Sequence, residues 1–390
     1  MSSCGGSGQS VARVLAEAAI TLGGIIILVW AASAGPAWVD RHFLPDYFHP
    51  QSRRHDLALI LRLVVGASGV AIIVLLRPAV GRVVMAGRSR ALLGGVARLL
   101  VAVGLALLVS EAVLRTAAWK PRHEAPAGRE PIQQSHAHLG WTLVPNHVGS
   151  RFIGGRNVEY ATDAFGYRVR CPECTVDPQQ PSVLFTGESI MLGTGLHWGE
   201  SVPAQVAAVL RVQSVNLAVN GYATDQTYLR LAAELPRFSR PVAVVSIFAP
   251  SLMPRNLNVD RPHLDAHLRW QPAVIPWRVQ MLANRLLAYN SSADLERAIA
   301  VTRAALQATA YLAHSRQAAA LVLVPRYPHE LPIEQELRQR ILDEGGMDYV
   351  VVDLDPSWRL SDDDHPDARA ARAMAVAVAK RLRAMHVGQL

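Results

Sequence analysis

The chain has 390 residues, 51% of them apolar, and a formal net charge of +8. That length exceeds one ordinary domain, and the apolar residues are concentrated at the amino end. The positive balance raises nucleic acid as a partner, but no basic cluster interleaved with aromatics and no nucleic-acid motif occurs, so that partner is excluded.

Three long apolar runs precede Arg115: Val14 to Ala34, Leu57 to Leu76 and Ala91 to Ser110. Each approaches the ~20 residues a helix needs to cross a bilayer, so three transmembrane helices are expected. The loop between the second and third runs holds Arg77, Arg82, Arg88 and Arg90 with no acidic residue, which places it on the cytoplasmic side. The preceding loop mixes Arg41, Arg53 and Arg54 with Asp40, Asp46 and Asp56 and suits the outer side. The amino terminus is then inside, and everything after Arg115 is extracytoplasmic. Ala32-Ser-Ala34 resembles a signal-peptidase site, but the apolar core is long for a signal peptide and Trp30 sits close to the cut, so an uncleaved anchor is the better reading. Cys4 lies before the apolar run, unlike a lipoprotein cysteine. Of the ionisable residues inside the spans, Glu17 and Arg98 are expected to pair and Arg62 to snorkel outward. Anionic lipid beside the juxtamembrane arginines accounts for the basic excess.

Residues 116–137, with Lys120, Pro121, Arg122, Pro126 and Pro131, read as a polar linker. The expected organisation is a membrane domain over 1–115, this linker, and an extracytoplasmic domain over 138–390. From His138 onward, Leu139-Gly-Trp-Thr-Leu-Val-Pro-Asn146 and Asn157 to Arg168 read as short strands separated by turns. Cys171-Pro-Glu-Cys174 lies in a Pro- and Gln-rich loop and reads as a local disulfide, since no second Cys-x-x-Cys supplies zinc ligands.

Beyond Ser182, strand-like runs (Val183 to Thr186, Val212 to Leu217, Val242 to Phe248, Ala319 to Val324, Tyr349 to Asp353) alternate with helical patterns. The helices are expected near Val202 to Leu210, Thr224 to Leu235, Ala293 to His314, Ile333 to Asp343 and Pro366 to Met385. Such alternation implies right-handed crossovers and a parallel sheet covered on both faces, a three-layer α/β/α sandwich. The excursion from Leu252 to Ser292, rich in Pro, Trp and Arg, is expected to hang over the carboxyl edge of the sheet and shape a groove.

The first of these strands runs into Gly187-Glu188-Ser189. A serine there stands at the carboxyl end of a strand, where open α/β sheets put their chemistry, and its own N–H points towards a developing oxyanion. Taken alone, a helix-capping serine is the commoner and better explanation of Gly-x-Ser. Downstream, Ser361-Asp-Asp-Asp-His365-Pro366 follows the last strand. Asp362 precedes His365 by three residues, a separation that within one helical turn carries a carboxylate to the imidazole Nδ1 and frees Nε2 as a base. Pro366 suits a first helical turn, with His365 at its mouth. An acidic N-cap cluster explains the aspartates but not the histidine. His263, His267 and His329 read as surface residues, and no metal is expected.

A serine after the first strand and Asp-x-x-His after the last together resemble the SGNH, or GDSL-type, hydrolase family over roughly residues 138–385, and Leu139-Gly-Trp141 and Phe165-Gly-Tyr-Arg168 look like the lead-in of its membrane-anchored bacterial members. The resemblance implies Ser189 as nucleophile, His365 as base and Asp362 as its orienting carboxylate. The family's second block matches Asn216-Leu-Ala-Val-Asn-Gly221, so Gly221 is implied as an oxyanion donor beside Ser189. Two departures stand out. Gly-Glu-Ser replaces the usual Gly-Asp-Ser, and Ser251 stands where the third block normally supplies an Asn to the oxyanion hole. Losing such a donor typically costs about 10²–10³ in turnover. Asn256 and Asn258 are too far from the strand end to substitute.

The expected activity is ester hydrolysis, or acyl transfer if a sugar hydroxyl replaces water, on acyl groups of envelope polysaccharide or lipid at the outer face of the inner membrane. No cofactor is required, and any acyl donor has to be a separate membrane chain. The competing reading is a catalytically weak glycan-binding or scaffold protein that keeps the fold.

Overall fold

This computed structural model describes residues 5–44, 52–86, 89–116, 130–286, 288–327 and 330–387. Cys4, Asp46, Arg88, most of the linker (117–129) and His329 lie outside the described residues. Contacts divide the chain into two compact units, one holding residues 1–43, 50–119 and Trp277–Tyr289, the other the remainder.

The first unit begins with α1 (Gly5–Ser33) and the short α2 (Pro36–His42). Next come α3 (Ser52–Ala71), a π-turn over Ile72–Leu76, α4 (Arg77–Met85) and α5 (Ser89–Thr116). Three stretches, Ser10–Ser33, Leu59–Met85 and Gly94–Thr116, are long and apolar enough to cross a membrane. Their large side chains face outward, Val14 at 65%, Leu63 at 63% and Leu99 at 63% exposure, which suits hydrocarbon and not water.

One polar pairing in this unit departs from expectation. Glu17 bonds Arg13 (2.6 Å) and Arg77 (3.4 Å), not Arg98. Arg77 lies on α4, which packs on α1; at Gly81 a Cβ would stand 2.2 Å from the Glu17 carboxylate and would push that side chain aside. Arg62 donates to the carbonyls of Ala31 (3.1 Å) and Ala32 (3.3 Å). Those carbonyls belong to the last turn of α1, which has no intrahelical donors left for them.

The second unit opens with the antiparallel pair β1 (Gln133–His136) and β2 (Gly140–Leu143). The main sheet contains β3 (Val148–Ile153), β4 (Arg156–Thr162), β5 (Arg168–Val169), β6 (Ser182–Phe185), β7 (Gln213–Asn216) and β8 (Pro241–Ile247). Helices α6 (Ser189–Leu192), α7 (Val202–Leu210) and α8 (Thr224–Glu234) alternate with these strands. After β8 come the hairpin β9 (His263–Leu264) and β10 (Trp270–Gln271), then α9 (Arg278–Leu286), which belongs to the first unit. The chain closes with α10 (Ser292–Ser315), β11 (Ala319–Arg326), α11 (Pro332–Arg338), β12 (Tyr349–Asp353) and α12 (Ala368–Ala384).

The sheet has eight strands in the order β12-β11-β8-β6-β7-β5-β4-β3. The five from β12 to β7 are parallel, and the lead-in strands extend the same sheet antiparallel. Alternate residues serve opposite layers: Val183 and Phe185 pack with Val206 of α7 and Met374 of α12, while Leu184 packs with Leu231 of α8. Burial on both faces explains why these strands read as continuous apolar runs. The architecture is a mixed α/β sandwich with a mostly parallel central sheet. Cys171 and Cys174 form a disulfide in the loop after β5.

Two placements matter for the site. From β6 the chain crosses to β7 on one side and then to β8 on the other, so the carboxyl end of β6 is a topological switch point, the position at which open α/β sheets bind ligands. And α12 starts at Ala368, capped by Asp367, not at Pro366. Pro366 instead bridges Arg359, so His365 lies in a closed loop ahead of the helix.

Candidate active site

Strand β6 is buried along its length and leaves the sheet through Thr186 and Gly187. A Cβ on Gly187 would stand 2.7 Å from Cβ of Met191 and 2.8 Å from Cγ2 of Ile247, so the turn closes only over glycine. Ser189 then opens the single turn α6, with Glu188 as N-cap accepting the Ile190 N–H at 3.1 Å. The turn ends at Gly193 with φ of 85°.

Beneath it lies Arg168, 1% exposed, which donates to the carbonyls of Leu192 (2.7 Å), Gly193 (2.7 Å) and Leu196 (2.6 Å). Its guanidinium also sits 4.5 Å over the Tyr160 ring. Burial lowers its pKa to about 10, which still leaves it charged at neutral pH. The Phe165-Gly-Tyr-Arg168 segment thus braces the carboxyl end of the serine's turn.

The loop after β7 is fastened to the same turn. Val219 N–H donates to Gly187 O (3.2 Å), Thr194 Oγ1 to Asn220 Oδ1 (2.7 Å), and the Asn216 amide to Met191 O and Leu192 O (3.3 Å each). Gly221 follows with φ of +78°, a left-handed conformation that disfavours any side chain. Trp141 walls this loop, its Nε1 donating to Asn220 O at 2.9 Å and its ring 5.8 Å from that of Tyr222.

His365 arrives from β12, three strands away from β6, a lateral distance of about 14 Å. The loop over 354–367 spans it, held by Leu360 N–H to His365 O (2.9 Å) and Asp367 N–H to Trp358 O (3.1 Å). Nε2 of His365 lies 2.8 Å from Ser189 Oγ, across 176 residues of chain. Its Nδ1 bonds the carboxylate of Asp363, which also accepts the His365 N–H at 3.0 Å. The bond to His365, with Arg151 Nη2 at 4.0 Å, holds the Asp363 carboxyl below the usual aspartate range against the opposing effect of burial.

Asp362, expected at Nδ1, is elsewhere. Its carboxylate accepts the N–H of Gly154 in the β3–β4 turn. The three-residue spacing aligns side chains only within a helix, and this loop is not helical; in extended backbone the residue two before His365 lies on its side instead. Asp362 anchors the loop, and Asp363 meets the imidazole.

Two further groups went unread. Ser189 Oγ donates to Glu188 Oε2 at 2.5 Å, and Arg255 Nη1 stands 3.9 Å from that oxygen. The Glu188 side chain is 4% exposed, so the hydroxyl sits between a carboxylate sealed from solvent and an imidazole. The Gly-Glu-Ser departure was the visible signal for this contact.

Ser251 lies in the 3-10 stretch Pro250–Leu257 just after β8, with its side chain outside the described residues. Asn256 is engaged elsewhere, accepting from Asp225 N–H (3.1 Å) and donating to Thr302 Oγ1 (2.7 Å). Among the described residues no group of three or more His, Cys, Asp or Glu is placed to hold a metal.

No family profile matches the chain, and no curated protein matches it. Among solved structures it is similar to a protein described as lipolytic and of the G-D-S-L family from Desulfitobacterium hafniense, with 12% identity, a TM-score of 0.33, and coverage of 51% of this chain and 98% of that one. An aryl esterase of M. smegmatis matches at 13% identity and TM-score 0.32, over 52% of this chain and 99% of that one. An acetyl xylan esterase from the rumen bacterium Butyrivibrio proteoclasticus matches at 9% identity and TM-score 0.35, over 55% and 66%. Likenesses of this size carry no functional weight by themselves.

Proposed function

We propose that the chain is a serine ester hydrolase of the SGNH type, held at the inner membrane by its three apolar helices with the α/β unit on the extracytoplasmic side. The observation that carries the reading is the contact between Ser189 Oγ and His365 Nε2, with Asp363 on the far nitrogen. In this reading His365 takes the Ser189 proton while Asp363 holds the ring and stabilises the imidazolium. The alkoxide attacks an ester carbonyl, and the amides of Ser189 and Gly221 stabilise the tetrahedral oxyanion, with Ser251 as a third donor by family resemblance. His365 then returns its proton to the leaving oxygen, and water releases the acyl enzyme; a sugar hydroxyl in place of water makes the reaction a transfer.

The arginines between the second and third spans set the orientation. An extracytoplasmic site on a membrane anchor favours acyl groups of envelope glycan or lipid, with any acyl donor on a separate membrane protein. The Glu188 contact favours a second reading, a site whose nucleophile is held back and which binds acylated glycan without turnover. Hydrolysis of a short-chain aryl ester by the full chain separates them: turnover abolished by Ser189→Ala supports the esterase, and turnover unchanged by it refutes it.

A further inference from the structure

The excursion after β8 does not stay with the α/β unit. Residues Trp277–Tyr289 cluster with the apolar helices, and α9 packs on α5, where the Val279 N–H donates to Glu111 Oε2 at 3.0 Å. Glu111 also accepts from Arg115 (2.7 Å) and lies in the last turns of the third span. Just past α9, Tyr289 stacks on His42 (5.2 Å between centroids) and meets Phe43 (5.7 Å) and Trp38 (6.1 Å). Trp38 in turn meets Trp30 at 5.3 Å, near the end of the first span. Spans one and three run in the same direction, so both ends belong to one membrane face. Aromatic rings gathered at such an end mark the headgroup layer.

The helix itself has the matching chemistry. Val279, Leu282 and Leu286 recur at helical spacing on one side, Gln280 and Asn284 lie opposite, and the segment from Trp277 to Asn290 contains Arg278 and Arg285 but no acidic residue. Trp277 is 53% exposed, Leu286 74% and Tyr289, beyond its contacts with His42, Phe43 and Trp38, still 49%, a row of large apolar groups largely open to the surroundings. We propose that α9, with Trp277 and Tyr289 flanking it, is an interfacial helix seated in the headgroup layer of the bilayer face that the ends of α1 and α5 reach, with anionic phospholipid as its partner. The proposal rests on the reading of the three apolar helices as membrane spans. It makes the excursion a second attachment of the extramembrane chain to the lipid surface, 22 residues beyond Arg255, which faces Glu188.

The test uses the full chain with Cys4→Ser, the disulfide retained, in nanodiscs of phosphatidylcholine with or without phosphatidylglycerol. Single cysteines carrying an environment-sensitive fluorophore are placed by Leu286→Cys in α9, Leu63→Cys in the second span and Tyr311→Cys on α10, and quenched with lipids spin-labelled near the headgroup or deep in the chain. The expected result is that the label at 286 loses about half its emission to the shallow quencher, more with phosphatidylglycerol present, while 63 responds to the deep quencher and 311 to neither. A label at 286 that behaves like 311 while 63 is quenched overturns the interfacial helix alone. A label at 63 that escapes both quenchers overturns the membrane reading on which the helix rests.

Discussion

The Ser189 hydroxyl lies 2.5 Å from Oε2 of Glu188, its own neighbour in the chain. A hydroxyl has one proton, and His365 Nε2 waits for it 2.8 Å away on another side. While the proton points at Glu188 the imidazole is not positioned to take it, so only a fraction of molecules is poised for attack. Glu188→Gln replaces the competing acceptor with a group that can donate to Oγ, leaving His365 as the acceptor. Turnover of an aryl ester is expected to rise, by about twofold where the proton is shared evenly between the two acceptors. A fall of tenfold or more would show instead that the carboxylate is required.

The two neighbouring aspartates separate by kinetics. Asp363→Asn leaves the imidazole in the wrong tautomer and is expected to lower kcat by about 10²–10⁴ with little change in KM. Asp362→Asn keeps a carbonyl that can accept the Gly154 N–H and leaves the imidazole's partner in place, so it is expected to stay within about tenfold of the native rate. Steady-state kinetics on the purified full chain checks both, and the reverse ranking would return the orienting role to Asp362.

Arg168→Met is expected to loosen the nucleophile's turn. Three backbone carbonyls lose a charged donor in a site that is 1% exposed, each at a cost of roughly 1 kcal/mol or more. The thermal midpoint should fall by several degrees and kcat with it. Arg168→Lys should recover only part, because a single ammonium cannot span three carbonyls as the planar fork does.

Asp363 also sets a pH signature. Its folded pKa lies below the unfolded reference of about 3.9, so its contribution to stability is present above that pH and is lost as pH falls through the folded value. The thermal midpoints of the native chain and Asp363→Asn should therefore differ at pH 6 and converge as pH drops below about 4. A gap that is constant across this range would show that the ionised Asp363 carboxylate does not contribute.

Much of the architecture was legible because both faces of the central sheet are buried. Val183 to Phe185 is a continuous apolar run and Val242 to Ile247 is broken only by Ser246, as expected of strands covered on both faces, and the intervening helices keep a 3.6-residue period. Ser189 and His365 were legible as residues following the first and last of these strands. The acid was not, because choosing Asp362 required the loop to be helical, whereas the bridge between Arg359 and Pro366 delays the helix to Ala368. The reach of Glu188 to Ser189 depends on side-chain direction in a tight turn, which spacing does not encode. The place of Trp277–Tyr289 was hidden by Pro272 and Pro276, which read as loop, although the period of Val279, Leu282 and Leu286 was there. Glu17 meets Arg77 and not Arg98 because α4, which carries Arg77, packs on α1, a pairing of helices that the sequence does not encode.

The most direct measurement is covalent labelling of the native full chain with a fluorophosphonate, followed by mass mapping of the adduct. If Ser189 is a nucleophile activated by His365, one phosphonyl group should attach at Ser189, and His365→Ala should slow the reaction by orders of magnitude. A native chain that stays unlabelled, or is labelled at the same rate without His365, would contradict the account.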